Sequence, residues 1–374
     1  MYKFHKIIFL TLFSCLMSTG AAQARTLRVN NVASLAAGVD VYTTLAAALA
    51  SAAAGDTIHI EGSVTPYTGN ITVDKRVVII GPGYFLSSTP ETQFYKESAK
   101  IDLDITFDSG SEGSVLAGIE QRTGASDYQI NTAAYAGNRI IIRANNISII
   151  SSKLFYIGID VAANRNNTTI QKCFFNPGLI TTMGSGSGVI SNVTISNCFF
   201  RNDFATAPAR MVINTPVGTL SGWRISQCTF FNSFAVAAVN TTFANNVFFA
   251  SAAAAGTITT HATNDYVNNV MNFIVATGAG GIVDGVDNNQ LRAEGIASWF
   301  SRVGNNEAID IYFTAASATS ACPLIDAANA QRGMYGGMQS YVESGMFTIP
   351  SVYDIQMDTE VGDTFDMIIR ARTH

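Results

Sequence analysis

Apolar and polar residues alternate along this chain over four to six positions at a time, a small polar step intervenes, and the alternation resumes. Runs that short, rich in Val, Ile, Thr and Phe, predict β-strands rather than helices. The same text also recurs. Thr169-Ile170-Gln171-Lys172-Cys173-Phe174-Phe175, Thr194-Ile195-Ser196-Asn197-Cys198-Phe199-Phe200 and Arg224-Ile225-Ser226-Gln227-Cys228-Thr229-Phe230 are followed by related stretches at 242–248 and 266–271, and a looser one precedes them at 148–154. With Cys173 as marker, the equivalent positions are 152, 173, 198, 228, 246 and 269, at spacings of 21, 25, 30, 18 and 23 residues.

Self-similarity on that period marks a solenoid. In Val193-Thr194-Ile195-Ser196-Asn197-Cys198-Phe199-Phe200, Val193 and Ile195 face one way, Asn197 makes a bend, and Cys198 and Phe200 restart the inward set. About three short strands with their corners fill a rung of some 22 residues, and stacking at about 4.8 Å pairs each strand with its copies above and below. Longer spacings are ejected loops, with 203–210 and 215–222 as candidates. The spacing predicts an all-β parallel solenoid over 25–340. The Ala-rich stretch 42–54, with Thr near its start and Gly55 after it, predicts a helix that caps the first rung. Residues 308–313 read as a strand and 322–337 as a closing loop, and 341–374 predicts a β-hairpin, either a C-terminal cap or an accessory segment.

The first coil, Gly55-Asp56-Thr57-Ile58-His59-Ile60, Ile71-Thr72-Val73 and Val77-Val78-Ile79-Ile80-Gly81-Pro82-Gly83, together with the repeat resembles the right-handed parallel β-helix, or pectate-lyase-like, superfamily. The resemblance spans about residues 26–340, is specific for fold and fits a secreted bacterial member of unassigned function. A leucine-rich framework is absent.

Composition narrows the setting. Lys3 and Lys6, an apolar run over 7–17 and Ala22-Gln23-Ala24 read as an export leader over 1–24, leaving 350 residues expected to be soluble and free of a membrane span. A competing reading acylates Cys15 within Leu12-Phe13-Ser14-Cys15 as a lipoprotein. Periplasm, cell surface and medium are all open. Charged residues make up only 13% of the chain, and the net charge of −5 is spread without a basic cluster, which excludes nucleic acid as partner.

Of the cysteines outside the leader, Cys173, Cys198 and Cys228 fall at one repeat position, and Cys322 lies apart. Parallel side chains one rung apart hold their Cβ atoms beyond the usual disulfide separation, so these three read as a buried ladder of reduced thiols. The preceding positions, Lys172, Asn197, Gln227, Asn245 and Asn268, are corners; Asn tolerates the left-handed backbone there, and Asn197, Asn245 and Asn268 read as a structural ladder of stacked amides. The sequons at Asn167 and Asn192 are read as corner chemistry, not glycan acceptors.

Candidate chemistry follows from the resemblance. Pectate lyases of this fold hold calcium on outer-face carboxylates beside an Arg or Lys base. The matching candidates are Asp102, Asp104 and Asp108, expected on the solvent face of one strand, with Arg139 and Arg143 one or two rungs away. No Asp-Asp pair and no Asn-Thr-Asp or Gly-His-Gly motif supports a glycoside hydrolase. His59 reads as structural, His261 has no evident orienting carboxylate, and His374 is terminal. Phe175, Phe200, Phe230 and Phe248 fall at inward positions, leaving Trp223, Trp299, Tyr128 and Tyr135 as candidate ligand-binding aromatics. These residues favour a non-catalytic exported protein of the cell envelope that needs no cofactor, apart from calcium as a candidate ion, and that presents an extended surface to glycan. The alternatives are a divergent lyase of uronic-acid polymers and a structural or adhesive spacer. Oligomeric state is not encoded legibly.

Overall fold

The computed structural model describes residues 24–32, 38–87, 95–121, 138–202, 211–215, 218–232, 234–250, 256–273, 281–301, 315–342, 345, 351–357 and 367–372. The leader with Cys15, Tyr128, Tyr135, the loop 203–210, the expected strand 308–313 and His374 lie outside them.

The chain is a right-handed parallel β-helix. Two long parallel sheets, of 12 and 16 strands among the described residues, share the rungs. The first sheet takes one strand from each rung; the second takes the strands after the corner. The register of the first sheet follows the repeat: Ile150 pairs with Gln171, Gln171 with Ser196, Ser196 with Ser226, Ser226 with Ala244 and Ala244 with Val267, the same steps of 21, 25, 30, 18 and 23 residues. A two-residue side-chain period then sends alternate positions inward in every rung.

The interior is a continuous core. Ile58, Ile79, Leu116, Ile149, Ile170, Ile195 and Ile225 stack along the first sheet. On the second, Phe175, Phe200, Phe230 and Phe248 stack ring on ring at 4.7, 4.7 and 4.8 Å. That spacing is the rung height itself, and it brings the rings within aromatic contact distance.

Helix α1 (Leu45–Ser51) covers the first rung by burying Leu45, Ala48 and Leu49. It is shorter than the expected 42–54. Val41–Tyr42 instead pairs as a strand with Thr26–Val29, and the Thr44 hydroxyl caps the helix by accepting from Ala47 N at 3.2 Å. At the far end the helix stops where Asp56 Oδ2 takes the amide of Ala53 at 2.8 Å and turns the chain into the next strand.

Among the described residues the last strand paired into the stack is Gln290–Leu291. The chain then passes through the single-turn helix α2 (Ile296–Trp299) and returns along the outside of the second sheet. Arg332 reaches Asn268, Gly333 N donates to Asn245 O, Asn197 Nδ2 donates to Met334 O and Gly336 O, and the Tyr341 hydroxyl meets that of Tyr84. This return segment runs from the last rungs back towards the first. It covers a second hydrophobic cluster on the outer face, including Phe174, Phe199, Phe231, Phe249, Trp299 and Met334. Ser351–Met357 and Met367–Arg372 pair as the antiparallel hairpin expected near the C-terminus. No helix among the described residues is long and apolar enough to cross a membrane.

Candidate functional site

The acidic row is divided by a bend. Asp102 ends one strand, Ala99–Asp102, and Asp108 follows the next, Ile105–Phe107, with Asp104 in the corner between them. The expectation of one shared strand face is therefore corrected: alternation continues through 101–107, but the backbone turns at Leu103-Asp104. Asp104 is only 8% exposed. Its carboxylate accepts from Arg139 N at 2.8 Å, from Nη2 at 2.7 Å and from Nε at 3.2 Å. Those bonds push the Arg139 guanidinium further up, against the effect of its partial burial, so it is held as a cation rather than poised as a proton-abstracting base. Arg143 Nε pairs instead with Asp160 Oδ2 at 3.0 Å, and Asp108 Oδ1 accepts from Ser109 N. Among the described residues no three His, Cys, Asp or Glu side chains share a metal position.

The tryptophans are core residues, and the assignment of Trp223 and Trp299 to a ligand surface is corrected. Trp223 is 1% exposed and Trp299 0%. Trp223 lies two positions before Ile225, so it points inward, and its indole donates to Ile190 O at 2.9 Å. Trp299, at the beginning of the return segment, is buried against Phe249, its indole donating to Glu294 O. His59 sits beside Arg28 in register and near Glu61; burial pushes its imidazole down, with Glu61 opposing and Arg28 reinforcing. His261 Nδ1 lies 2.8 Å from Thr263 Oγ1.

Cys173, Cys198 and Cys228 occupy one inward column as free, fully buried thiols, and burial pushes Cys173 and Cys198 well up. Each sulfur donates to a carbonyl two residues back at 3.3–3.4 Å. The same column continues as Asn246, Asn269 and Asn289. Asn246 Nδ2 donates to Asn269 Oδ1 at 3.0 Å, and Asn269 Nδ2 to Asn289 Oδ1 at 2.9 Å. This interior amide ladder is not among the sequence expectations, although the adjacent pairs Asn245-Asn246, Asn268-Asn269 and Asn288-Asn289 signal it. The corner residues Lys172, Asn197, Gln227, Asn245 and Asn268 all have φ between 51° and 58°. Asn268 Nδ2 donates to Asn245 Oδ1 at 2.6 Å, whereas Asn197 turns its amide to the return segment.

A second left-handed corner opens to solvent two residues before each hydroxyl of the first sheet. Asn146, Asn167, Asn192 and Asn240 occupy it, exposed, at φ 50–57°. Asn167 Nδ2 donates to Asn146 Oδ1 at 2.9 Å and Asn192 Nδ2 to Asn167 Oδ1 at 3.2 Å, so the two expected sequon asparagines serve as ladder members. Beside this corner runs an outward column in register, Ser148, Thr169, Thr194, Arg224, Thr242 and Asp265. Their side chains are exposed or half-buried, and within the described residues the hydroxyls and the Arg224 guanidinium have no protein partner. The column leads into a cleft of about 450 Å³ at the last rung, lined by Thr242, Asn264, Asp265, Tyr266, Val286 and Asp287 among others.

Inward apolar stacks, outward polar columns and a returning C-terminal segment define the chain as a parallel β-helix. No family model matches it, and no curated protein matches it. Among solved structures it is similar to the pectin methylesterase from Aspergillus niger in deglycosylated form, at 14% identity and a TM-score of 0.32, covering 74% of this chain and 93% of that one. The penultimately deglycosylated form of that esterase matches at 14% identity and a TM-score of 0.30, with the same coverage. Similarity at this level assigns neither activity nor substrate.

Proposed function

We propose that this protein is an exported, non-catalytic β-helix that binds an extended glycan along the solvent flank of its first sheet. The observation that carries the reading is the column Ser148, Thr169, Thr194, Arg224 and Thr242 beside the exposed corner Asn146, Asn167, Asn192 and Asn240. It presents hydroxyls, amides and one guanidinium at the rung repeat of about 4.8 Å, over five successive rungs. A chain ligand meets there a periodic row of hydroxyls and one guanidinium without a protein partner among the described residues, flanked by the amides of the corner ladder. The cleft holding Asp265 and Asp287 ends that track.

Affinity electrophoresis and a glycan array with the purified chain test the proposal. At least one polysaccharide is retained, and Arg224→Ala weakens retention about tenfold, the worth of one hydrogen bond to a charged group. Arg224 is exposed, so the variant keeps the fold. Retention of nothing, or undiminished binding by a variant carrying Arg224→Ala with Thr194→Ala, would refute the assignment. The calcium-dependent lyase reading has no comparable support, because Asp104 is committed to Arg139.

A further inference from the structure

Asp56 is a carboxylate buried at the base of the solenoid, 2% exposed. Oδ1 accepts from Arg25 N at 2.9 Å, and Oδ2 accepts from Ala53 N at 2.8 Å and from Arg25 Nη2 at 3.2 Å. Residue 25 is gripped elsewhere too. Its carbonyl accepts from Thr57 N, its guanidinium donates to Ser51 O at the end of helix α1, and Nη1 lies 3.4 Å from Asp40. Ala24 and Arg25 are exposed, and the bond between them is where the sequence places export processing. The nitrogen that Asp56 grips is thus the nitrogen that such processing would free.

We propose that cleavage of the Ala24–Arg25 bond creates an α-ammonium at Arg25 that docks as an ion pair on Asp56, so that maturation fastens the first rung and its capping helix together. An export-associated peptidase supplies the catalysis and water the second reactant. The C–N bond breaks, water oxygen joins the Ala24 carbonyl carbon to give a carboxylate, and the nitrogen takes up protons to become the ammonium. A hydrogen bond from a neutral amide is thereby exchanged for one from a cation, which is shorter and about twice as strong. The charge sits at a place prepared for it: Asp56 lies against it, Asp40 pairs with the Arg25 guanidinium, and the other cations of the region, Lys75 on Leu49 O and Ala52 O and Arg76 beside Gly55, are held on neighbouring turns. Burial alone pushes the Asp56 carboxyl up, but the bonds from Arg25 and Ala53 outweigh it and hold the group below its usual value, so it is ionised to receive a cation.

This inference is independent of the glycan reading and rests on the leader expectation, which mass spectrometry of the exported chain tests directly: the expected first residue is Arg25, and any other mature start overturns the proposal. Two purified versions, one beginning at Arg25 and one at Ala22, then test the ion pair apart from export. The Arg25 amine reacts with an N-hydroxysuccinimide ester at neutral pH about tenfold more slowly than the Ala22 amine, because an ammonium held by Asp56 has a raised pKa. Its melting temperature is higher by about 2 °C. A group with a raised folded pKa gives stability that is full below the unfolded value, about 7.7 for an α-amine, and lost as pH rises through the folded value. The melting difference therefore fades on going alkaline. Asp56→Asn abolishes both differences; equal acylation rates in the two native-sequence versions would overturn the proposal whether or not that variant folds.

Discussion

At the scale of single residues, one inward column shows how a repeat position can change chemistry without changing place. It passes from Ser152 through Cys173, Cys198 and Cys228 to Asn246, Asn269 and Asn289. A thiol fills this position as a small apolar group with one weak bond to a carbonyl. An amide there must satisfy everything it buries. Asn269 accepts from Asn246 N and Nδ2 and donates to Phe243 O and Asn289 Oδ1, each at 2.9–3.0 Å. Asn269→Ala removes those side-chain bonds from the buried column and is expected to cost about 3 kcal/mol, whereas Cys198→Ala loses a few packing contacts and costs about 1 kcal/mol. Urea denaturation of both variants checks this through the midpoint at unchanged slope. The cysteine half of the column was legible because one residue type recurs at one repeat position. The asparagine half was hidden by the change of type, even though the repeat aligned residues 246 and 269 with the cysteines. Trp223 was legible in principle, since a two-residue step from Ile225 points it inward, but proximity to a loop argued for exposure. Asp104 was not legible: alternation carries no signal that the backbone bends at 103–104 and that Arg139, a rung away, takes the carboxylate.

Among elements, the return segment is the part that local pattern could not foretell. The two-residue period separates Phe175, Phe200 and Phe248 from Phe174, Phe199 and Phe249, but it cannot say that the outward set is also buried, because its cover arrives from residues 296–300 and 315–341. The segment is fastened to the rungs by Asp326, whose Oδ1 accepts from Ala328 N and Ala330 N and whose Oδ2 accepts from Asn268. Burial raises the Asp326 carboxyl, but these bonds and the nearby Arg332 outweigh it and leave the group below its usual value. For a carboxyl depressed in the folded state, the stabilisation is full above the unfolded value of about 3.9 and is lost as pH falls through the folded one. Acidification from neutrality to about pH 2 is therefore expected to loosen the return segment. The chain carries two tryptophans, one in the return segment and one in the solenoid core, so each part has its own reporter. In a Trp223→Phe variant, which retains Trp299, emission shifts to the red on acidification, and adding Asp326→Asn removes the acid dependence. An unshifted Trp299 at low pH would show that Asp326 is not the fastening.

For the whole molecule, the question is whether a stack of rungs behaves as one unit. A solenoid in which each rung touches only its neighbours can fray from an end, and its stability is close to a sum of local terms. Here contacts leap along the axis: Asn197 to Met334 and Gly336 across 137 and 139 residues, Tyr341 to Tyr84 across 257. They tie early rungs to the end of the chain and give the stack a reason to unfold together. Arg332 is the hinge of that arrangement. It is 1% exposed and spends its guanidinium on Asn268 Oδ1 at 2.8 and 3.1 Å, on Gln290 Oε1 and on Pro323 O. Arg332→Ala strips the bonds from Pro323 O, which is buried, and from the half-buried Asn268 and Gln290, at a cost of about 3 kcal/mol that falls on the return segment. In the native sequence, Trp223 and Trp299, observed one at a time by replacing the other with Phe, are expected to report one coincident urea transition. With Arg332→Ala the Trp299 transition moves to lower urea while that of Trp223 stays near its place, because the inward stacks of Ile and Phe are untouched. Coincident transitions in the variant would mean that the rungs cohere through their own stacking, and that the return segment covers the second sheet without coupling its ends.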